Sequence, residues 1–568
     1  MKELTIQVLK KDGTLEDFNS EKIINAIRKS ANRVIVDLTE MEEIMVVEEV
    51  YNNICKTSII DGVPVKTIHN YVETALQNVN PIVAESYRSY RNYKTDFVGM
   101  LDEVYSKAQS VLYIGDKENS NADSSLVSTK RSLITGHLSK ELYQKFFLTE
   151  SEREAIKKGF IYIHDMRDRL YCLNCCLADV ANIMRGGFEM GNIWYNEPKS
   201  VDVACDVLGD IILSMASQQY GGYTVPEVDT VLAYYCEKSY EKYKEEYISI
   251  LKDNDGIINE DRVHEYAVRK VYRDLEQGIQ GLEIKLNTVA SSRGDYPFTT
   301  FTFGIDKSEF GKMVTEVILK VRMGGQGKPG FKKQVLFPKL SFLYDENLHG
   351  EDQVMEYLFN IACECSSKSM YPDYLSLTGD GYVAEMYKKY GLVVSGMGCR
   401  AYLSPYFERG GMNPADENDK PYFIGRFNIG AITLHLPLIY QEAKTTGQDF
   451  YKLLDYYLEM IRGLHIRTYE YLGKMKASTN PLGFTQGGFV GGTLEYDECI
   501  APVLKSATAS FGFTALNELC QLHYGKSIRE DNSFANEVID YINDRIDTYK
   551  KADGNLYALY ATPKCLGI

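Results

Sequence analysis

The stretch GMGCRAYLSP places a thiol, Cys399, between Gly398 and Arg400 in the second half of a long chain. Glycines at positions 396 and 398 leave this sulfur little cover from neighbouring side chains, as on a loop that must enter a narrow space. Most cysteines instead serve as small buried hydrophobic residues. From these residues alone, a reactive thiol at a loop tip and a loop thiol without a role are equally good interpretations.

A second group of thiols lies in YCLNCCLADV, where Cys172 and Cys175 are spaced as C-x-x-C. Structural zinc normally has four ligands, and the only other close pair, Cys363 and Cys365, has the wrong spacing. A thioredoxin-like motif would lie where a strand gives way to a helix. We therefore predict no metal site here.

The same stretch is typical of the interior of a strand. Because side chains alternate between the two faces of a strand, we expect Leu173, Cys175 and Leu177 on one face. Asn174 and Cys176 would lie on the other, so only one of the adjacent thiols faces a given cavity. Buried thiols that pack as part of the core remain the alternative.

The N-terminal segment VLKKDGTLEDFNSEK combines lysines with a tight turn and the start of a helix. Lys10 and Lys11 lie beside Asp12-Gly13, and Lys22 falls in the first turn of the predicted helix. Lysines and the free N–H groups of a helix N-terminus suit a polyphosphate. An ordinary hairpin and helix with solvated lysines is the alternative that the residues alone favour.

Composition limits the function classes. The net charge of −16 argues against broad nucleic-acid binding, although local phosphate binding stays open. No apolar run approaches the roughly 20 residues of a membrane span, and the N-terminus lacks the apolar core of a signal peptide. We therefore expect a cytoplasmic protein without nucleic-acid or membrane partners. Its 12 cysteines indicate free thiols or chemistry more than a disulfide framework.

Two regions must position these residues. Alternating runs around Asp12-Gly13 predict a hairpin with a type I′ turn, and NSEKIINAIRKSANRV predicts a helix capped by Asn19 or Ser20. Further helical patterns complete a module of about 95 residues. From about residue 98, long helical segments alternate with short apolar runs such as FTTFTFG, QVLFPKLSFLY and AITLHLPL, which indicates an α/β architecture.

Residues 1–97 resemble the ATP-cone, the nucleotide-sensing module of ribonucleotide reductases. The similarity rests on VLKKDG, Glu16, Phe18, Asn19, Lys22-Ile23, VKTIH and YRSYRNYK. It implies control of a neighbouring catalytic domain by ATP or dATP. The residues that it implies for nucleotide binding are Lys10, Lys11, Glu16, Asn19, Lys22 and Lys94.

The remainder contains, in order, NADSSLVSTKRSLITGHL, IHDM, NCCLADV, MASQQYGGYTVPEVD, PFTTFTFG, GGQGKPGFKKQVLFPKLSF, MYPD, GMGCRAYLSP and GRFNIGAITLHLPL. This order resembles the catalytic subunit of the anaerobic (class III) ribonucleoside-triphosphate reductases, through to about residue 562. The resemblance implies that residues 98–568 form a ten-stranded α/β barrel made of two five-stranded halves. A central finger loop would carry the radical cysteine at its tip.

The resemblance also implies roles for individual residues. A thiyl radical on Cys399 would abstract the 3′ hydrogen of the nucleoside triphosphate, and the 2′ hydroxyl would leave as water. Cys175, on the opposite barrel strand, would supply reducing equivalents, and Asn428 would hydrogen-bond substrate hydroxyls or formate. Phe427 replaces the first asparagine of the family's R-N-N-L-G, and Asn428 as a simple turn residue remains the alternative. Two cysteines with an asparagine match the formate-using branch, so formate is the expected reductant.

Family members usually continue into a four-cysteine zinc site and a glycyl-radical loop, whereas this chain ends ALYATPKCLGI. We therefore expect an absent C-terminal segment or a separate chain to supply the glycyl radical, so that this chain alone would not turn over. The implied partners are a second copy of the chain, in a dimer or larger oligomer, and a radical-SAM iron–sulfur activase. A non-catalytic nucleotide-sensing or assembly partner, or a different glycyl-radical enzyme, are the competing hypotheses.

Overall fold

The computed structural model describes residues 6–10, 13–56, 62–91, 101, 104–106, 108–109, 126–253, 257–288, 294–398 and 401–561. The chain divides into two compact units. The first consists of Met1–Asp116, Leu133–Gly159 and Met166–Leu170, and the second of Lys117–Ser132, Phe160–Asp165 and Tyr171–Ile568.

Helices and strands follow one another along the whole described chain. The helices are α1 (Ser20–Arg33), α2 (Glu40–Lys56), α3 (Val65–Val79), α4 (Pro81–Arg91), α5 (Val127–Leu142), α6 (Glu150–Lys157), α7 (Val180–Met184), α8 (Val201–Ala216), α9 (Val228–Asp253), α10 (Glu260–Thr288), α11 (Glu309–Gly324), α12 (Glu346–His349), α13 (Glu356–Ser369), α14 (Tyr382–Tyr390), α15 (Leu436–Thr446), α16 (Phe450–Gly473), α17 (Pro481–Phe484), α18 (Leu516–Tyr524) and α19 (Ser533–Asp553). The strands are β1 (Gln7–Leu9), β2 (Leu15–Asp17), β3 (Val63–Pro64), β4 (Ile161–Ile163), β5 (Cys176–Leu177), β6 (Phe188–Met190), β7 (Ile193–Tyr195), β8 (Tyr223–Val225), β9 (Thr299–Phe303), β10 (Lys339–Tyr344), β11 (Asp373–Ser376), β12 (Arg426–His435), β13 (Ala507–Thr514) and β14 (Leu556–Ala561).

The first unit packs helices beside a small sheet of order β2-β1-β3. The side chain of Asn19 accepts the N–H of Glu21 and so caps α1, as the sequence predicts. Ile23 and Ile27 lie on the buried face of α1. The core of this unit also draws on α2, α3 and α4, which confirms the predicted succession of helices.

The N-terminal hairpin is present, with β1 and β2 antiparallel, but its connection differs from the prediction. The N–H of Lys10 donates to the carbonyl of Thr14 at 2.8 Å, so three residues connect the strands. Gly13 adopts a left-handed φ of 85°. A three-residue loop that ends in a left-handed glycine replaces the predicted two-residue type I′ turn.

The second unit contains a nine-stranded sheet of order β11-β10-β9-β8-β5-β12-β13-β14, with β4 paired to β12. The strands from β11 to β5 are parallel to one another, and β12, β13 and β14 form a second parallel set. The two sets meet where β5 runs antiparallel to β12. The α/β class is therefore confirmed. Among the described residues no pairing joins β11 to β14, so the closed ten-stranded barrel stays a prediction.

Burial of both sheet faces explains the short apolar runs of the sequence. All five residues of β9 are buried, as are nine of the ten residues of β12. Parallel strands covered on both faces by helices show such continuous burial, in contrast to the alternation of a half-exposed strand. In the portion of the chain that the structure describes, no helix has the length and apolar character needed to cross a membrane.

Candidate active site at the β5–β12 junction

The junction between the two parallel sets brings Cys175 and Asn428 together. The N–H of Asn174 donates to the carbonyl of Asn428 at 2.9 Å, and the N–H of Asn428 donates to the carbonyl of Cys175 at 2.8 Å. The side chains of Cys175 and Asn428 are buried, with 5% and 2% exposed. Two predicted site residues that are far apart in sequence are thus neighbours across antiparallel backbone.

A side-chain network surrounds this pair. The amide nitrogen of Asn428 donates to Ser510 Oγ at 2.8 Å, and Asn174 Nδ2 donates to Asn428 Oδ1 at 3.2 Å. The thiol of Cys175 donates to Asn174 Oδ1 at 3.4 Å. Sequence reasoning missed Ser510, because nothing local to β13 indicates which strand lies beside it.

The strand assignment around Cys175 needs correction. Regular strand begins only at Cys176, three residues after Leu173, where the predicted alternation starts. Cys175 and Leu177 do pack in one apolar cluster, as expected. Asn174 was predicted to face away with Cys176, yet it contacts Cys175, because the backbone before β5 lacks regular alternation.

The adjacent thiol, Cys176, interacts with Gln219 and is not part of the apolar cluster that contains Cys175. Complete burial raises the pKa of Cys176 to about 12, an effect that its hydrogen bond to Gln219 offsets only partly. A thiol with so high a pKa stays protonated at neutral pH and is a poor nucleophile. That only one of the two thiols faces the site stays a prediction.

Cys399 and Arg400 lie outside the described residues, but the residues on either side of them are described. Met397, Ala401 and Leu403 pack in the same cluster as Cys175, and the N–H of Met397 donates to the carbonyl of Ala401 at 2.9 Å. A methyl group on Gly222 would lie 3.0 Å from the Cα of Gly398. Both flanks of position 399 therefore lie close to Cys175.

A glycine pair allows this close approach. The N–H of Gly222 donates to Cys175 Sγ at 3.2 Å. A methyl group on Gly221 would lie 2.2 Å from Asn174 Oδ1 and 2.6 Å from Cys175 Sγ. The dipeptide Gly221-Gly222 is therefore a signal in the sequence that the motif alone did not explain: position 221 has no room for a side chain.

Two ionisable groups, the buried Arg426 and the partly buried Glu227, hold segments next to the site. Arg426 donates from Nε to the carbonyl of Ser506 at 2.8 Å and from Nη1 to that of Ser404 at 2.6 Å. Its burial lowers the pKa of the guanidinium to about 9. Burial raises the pKa of Glu227 to about 7, helped by the charge of Asp229 and opposed by the N–H of Val393, which the Glu227 carboxylate accepts.

The predicted nucleotide-binding residues of the first unit come together in part. Lys10 and Lys22 both form ion pairs with Glu16, and Lys22 lies in the first turn of α1 beside the cap Asn19. Lys11 and Lys94 lie outside the described residues. Over the described ranges, no group of three or more histidine, cysteine, aspartate or glutamate side chains is arranged to hold a metal ion.

Comparison with known proteins identifies the family. The sequence model described as "Anaerobic ribonucleoside-triphosphate reductase" matches residues 118–564, and that described as "ATP cone domain" matches residues 6–96. The chain belongs to the anaerobic ribonucleoside-triphosphate reductase family. Members of this family are oxidoreductases. The predicted boundary between residues 97 and 98 stays a prediction.

Named relatives support the same assignment. The anaerobic ribonucleoside-triphosphate reductase of Haemophilus influenzae is 30% identical over 98% of this chain and 76% of its own length. The Escherichia coli enzyme is 29% identical over 99% of this chain and 76% of its own length. The enzyme of Enterobacteria phage T4 is 30% identical over 78% of this chain and 70% of its own length. The similarity therefore extends over both units.

Solved structures show that the fold is that of the family. The anaerobic ribonucleotide reductase from Thermotoga maritima, in complex with dATP and CTP, covers 83% of this chain and 75% of its own with a TM-score of 0.52 at 16% identity. The same enzyme with glycerol in the active site gives a TM-score of 0.53 at 15% identity and the same coverage. At such identities, the likeness concerns the fold.

Proposed function

We propose that this reductase converts ribonucleoside triphosphates to deoxyribonucleoside triphosphates by thiyl-radical chemistry centred on Cys399, Cys175 and Asn428. The convergence of both flanks of position 399 on Cys175 carries the proposal. Burial supports it as well, because a carbon-centred radical must be kept from side reactions and the protein's contribution is shielding and positioning.

Each residue then has a defined task. Cys399, as a thiyl radical, takes the 3′ hydrogen of the ribose, and the 2′ hydroxyl leaves as water. Cys175 gives a hydrogen atom to the substrate radical, and formate restores that hydrogen and supplies the second electron as it leaves as carbon dioxide. Cys399 finally returns the 3′ hydrogen. Overall, a nucleoside triphosphate, formate and a proton are converted to a deoxynucleoside triphosphate, carbon dioxide and water.

Formate as the reductant agrees with the thiols at the junction. Cys176 interacts with Gln219 and keeps its proton. Within the described residues, the apolar cluster that contains Cys175 includes no second cysteine. A glycyl radical on a C-terminal segment or separate chain would supply the unpaired electron, after activation by an S-adenosylmethionine-dependent iron–sulfur enzyme.

The test compares cysteine variants in the activated holoenzyme. Cys399→Ser and Cys175→Ser should abolish formation of deoxynucleotide while nucleoside triphosphate still binds in calorimetry. Cys176→Ser is the matched control, since it changes the neighbouring thiol outside the proposed site, and it should retain turnover. Full activity of Cys399→Ser would contradict the proposal.

The ATP-cone adds regulation to the proposal. ATP bound near Lys10, Lys11, Glu16, Asn19, Lys22 and Lys94 would favour activity, and dATP would oppose it by altering the oligomeric state. Exposed lysines paired with Glu16 support this, since a triphosphate offers them stronger charge-assisted partners.

A titration with dATP tests this regulation. Lys22→Ala should weaken dATP binding and remove the change in particle mass, whereas Lys29→Ala, on the same helix and exposed, should leave both unchanged. Absence of nucleotide binding by the unsubstituted protein would contradict the assignment of the cone.

A further inference from the structure

The amide of Asn428 has only one possible orientation. The backbone N–H of Gly430 lies 2.5 Å from Asn428 Oδ1, at the irregularity where the register of β12 with β13 shifts between Asn428 and Gly430. A backbone N–H can only donate. Rotating the amide by half a turn would place two donors against each other, so the oxygen of Asn428 must face Gly430.

This orientation determines that of Asn174. Because the Asn428 oxygen can only accept, the group of Asn174 that meets it at 3.2 Å must be the NH₂. The oxygen of Asn174 therefore points to Cys175 Sγ, 3.4 Å away. Cys175 Sγ itself receives the N–H of Gly222, so the hydrogen of the Cys175 thiol is directed at Asn174.

Counting donors and acceptors shows what Asn428 has left. Its oxygen has two lone pairs, and Gly430 and Asn174 occupy both. One of its two N–H groups donates to Ser510 Oγ at 2.8 Å. Among the described residues the second N–H has no acceptor, and Asn428 is buried from solvent. A buried donor without an acceptor is costly and calls for a partner.

We propose that Asn174 and Ser510 are positioning residues that fix the Asn428 amide so that it meets its ligand only as a hydrogen-bond donor. The ligand atom is then an acceptor oxygen, supplied by a ribose hydroxyl or by formate. The inference rests on the proposed function for the identity of the ligand. The polarity of the contact follows from the described hydrogen bonds alone.

Ser510→Ala tests the role of the network by binding, without turnover. Calorimetry on the unactivated protein compares a nucleoside triphosphate with its 2′,3′-dideoxy analogue. Losing one neutral hydrogen bond that positions the donor should weaken binding of the hydroxylated nucleotide about three- to tenfold and leave the dideoxy analogue unchanged. Ser510→Thr keeps the hydroxyl and should restore affinity.

Two further variants complete the set. Thr508→Val is the matched control on the same strand, because it removes a buried hydroxyl that has no hydrogen-bond partner among the described residues. Asn174→Ala removes the donor opposite the Asn428 oxygen and should reproduce the Ser510→Ala result. The second measurement is the KM for formate in the activated holoenzyme. If this KM rises about three- to tenfold while nucleotide affinity is unchanged, the acceptor oxygen belongs to formate.

The proposal is supported by weaker binding of the hydroxylated nucleotide alone, or by a higher KM for formate alone. Unchanged nucleotide affinity together with an unchanged KM for formate overturns it. Equal weakening of both nucleotides, matched by Thr508→Val, also overturns it, because that result indicates a general loss of structure. Calorimetry tests this inference without turnover. The proposed radical chemistry fails separately, if Cys399→Ser still turns over.

Discussion

Replacing Gly221 by alanine is the sharpest test of the site's geometry. The added methyl group would lie 2.2 Å from Asn174 Oδ1 and 2.6 Å from Cys175 Sγ. Nonbonded atoms settle at about 3.5 Å or more, so Asn174 and Cys175 must move by about 1 Å. A displacement of this size at reacting groups lowers turnover about a hundredfold, and overpacking costs about 1–3 kcal/mol of stability.

The assay measures deoxynucleotide formation by the activated holoenzyme beside thermal unfolding, in a graded series. Gly222→Ala needs a smaller adjustment, because its methyl group would lie 3.0 Å from the Cα of Gly398, and it should lose less activity. Gly281→Ala on α10 is the control, because no described atom outside the local helix backbone lies within 4 Å of the added methyl group. It should gain about 0.5–1 kcal/mol of stability from better helix propensity and keep full activity. Normal turnover in Gly221→Ala would refute the close packing around Cys175.

Three further outcomes are expected. Burial raises the pKa of Glu227 to about 7, above that of the unfolded chain, so its contribution to stability is complete below about pH 4.5 and is lost as the pH rises through 7. Chemical denaturation across this pH range should show the free energy of unfolding falling by an amount on the order of 2–3 kcal/mol, and Glu227→Gln should remove most of that fall. An equally steep fall in Glu227→Gln would contradict the buried setting of this carboxyl group. Arg322→Met should lower the free energy of unfolding by about 3–5 kcal/mol in the same experiment, because it leaves the buried Glu283 carboxylate without its ion-pair partner. Adding Glu283→Leu should recover most of this loss. Additive losses in the double variant would argue against the pairing. Arg426→Lys should speed hydrogen exchange at 401–405, because lysine cannot hold two carbonyls at once; equal exchange would speak against this tether.

Local chemistry explains why much of the fold was predictable. The hairpin, the cap Asn19 and the succession of helices depend on neighbouring residues, so the pattern of the chain contains them. The same reasoning was wrong about the length of the turn at Gly13, because Asp-Gly fits loops of two and of three residues. The α/β class followed from alternating segments, whereas closure into a barrel did not follow from the described pairings.

The motifs of the sequence by themselves determined the family and nominated Cys399, Cys175 and Asn428. Only the tertiary structure decided what surrounds them. Asn174 and Asn428 are 254 residues apart, and Ser510 lies 82 residues beyond Asn428. No local pattern states which strand pairs with which, because strand order results from the packing of the whole sheet. The polarity of the Asn428 amide depends on one backbone N–H at a register shift, which is a property of the folded chain and not of any residue type.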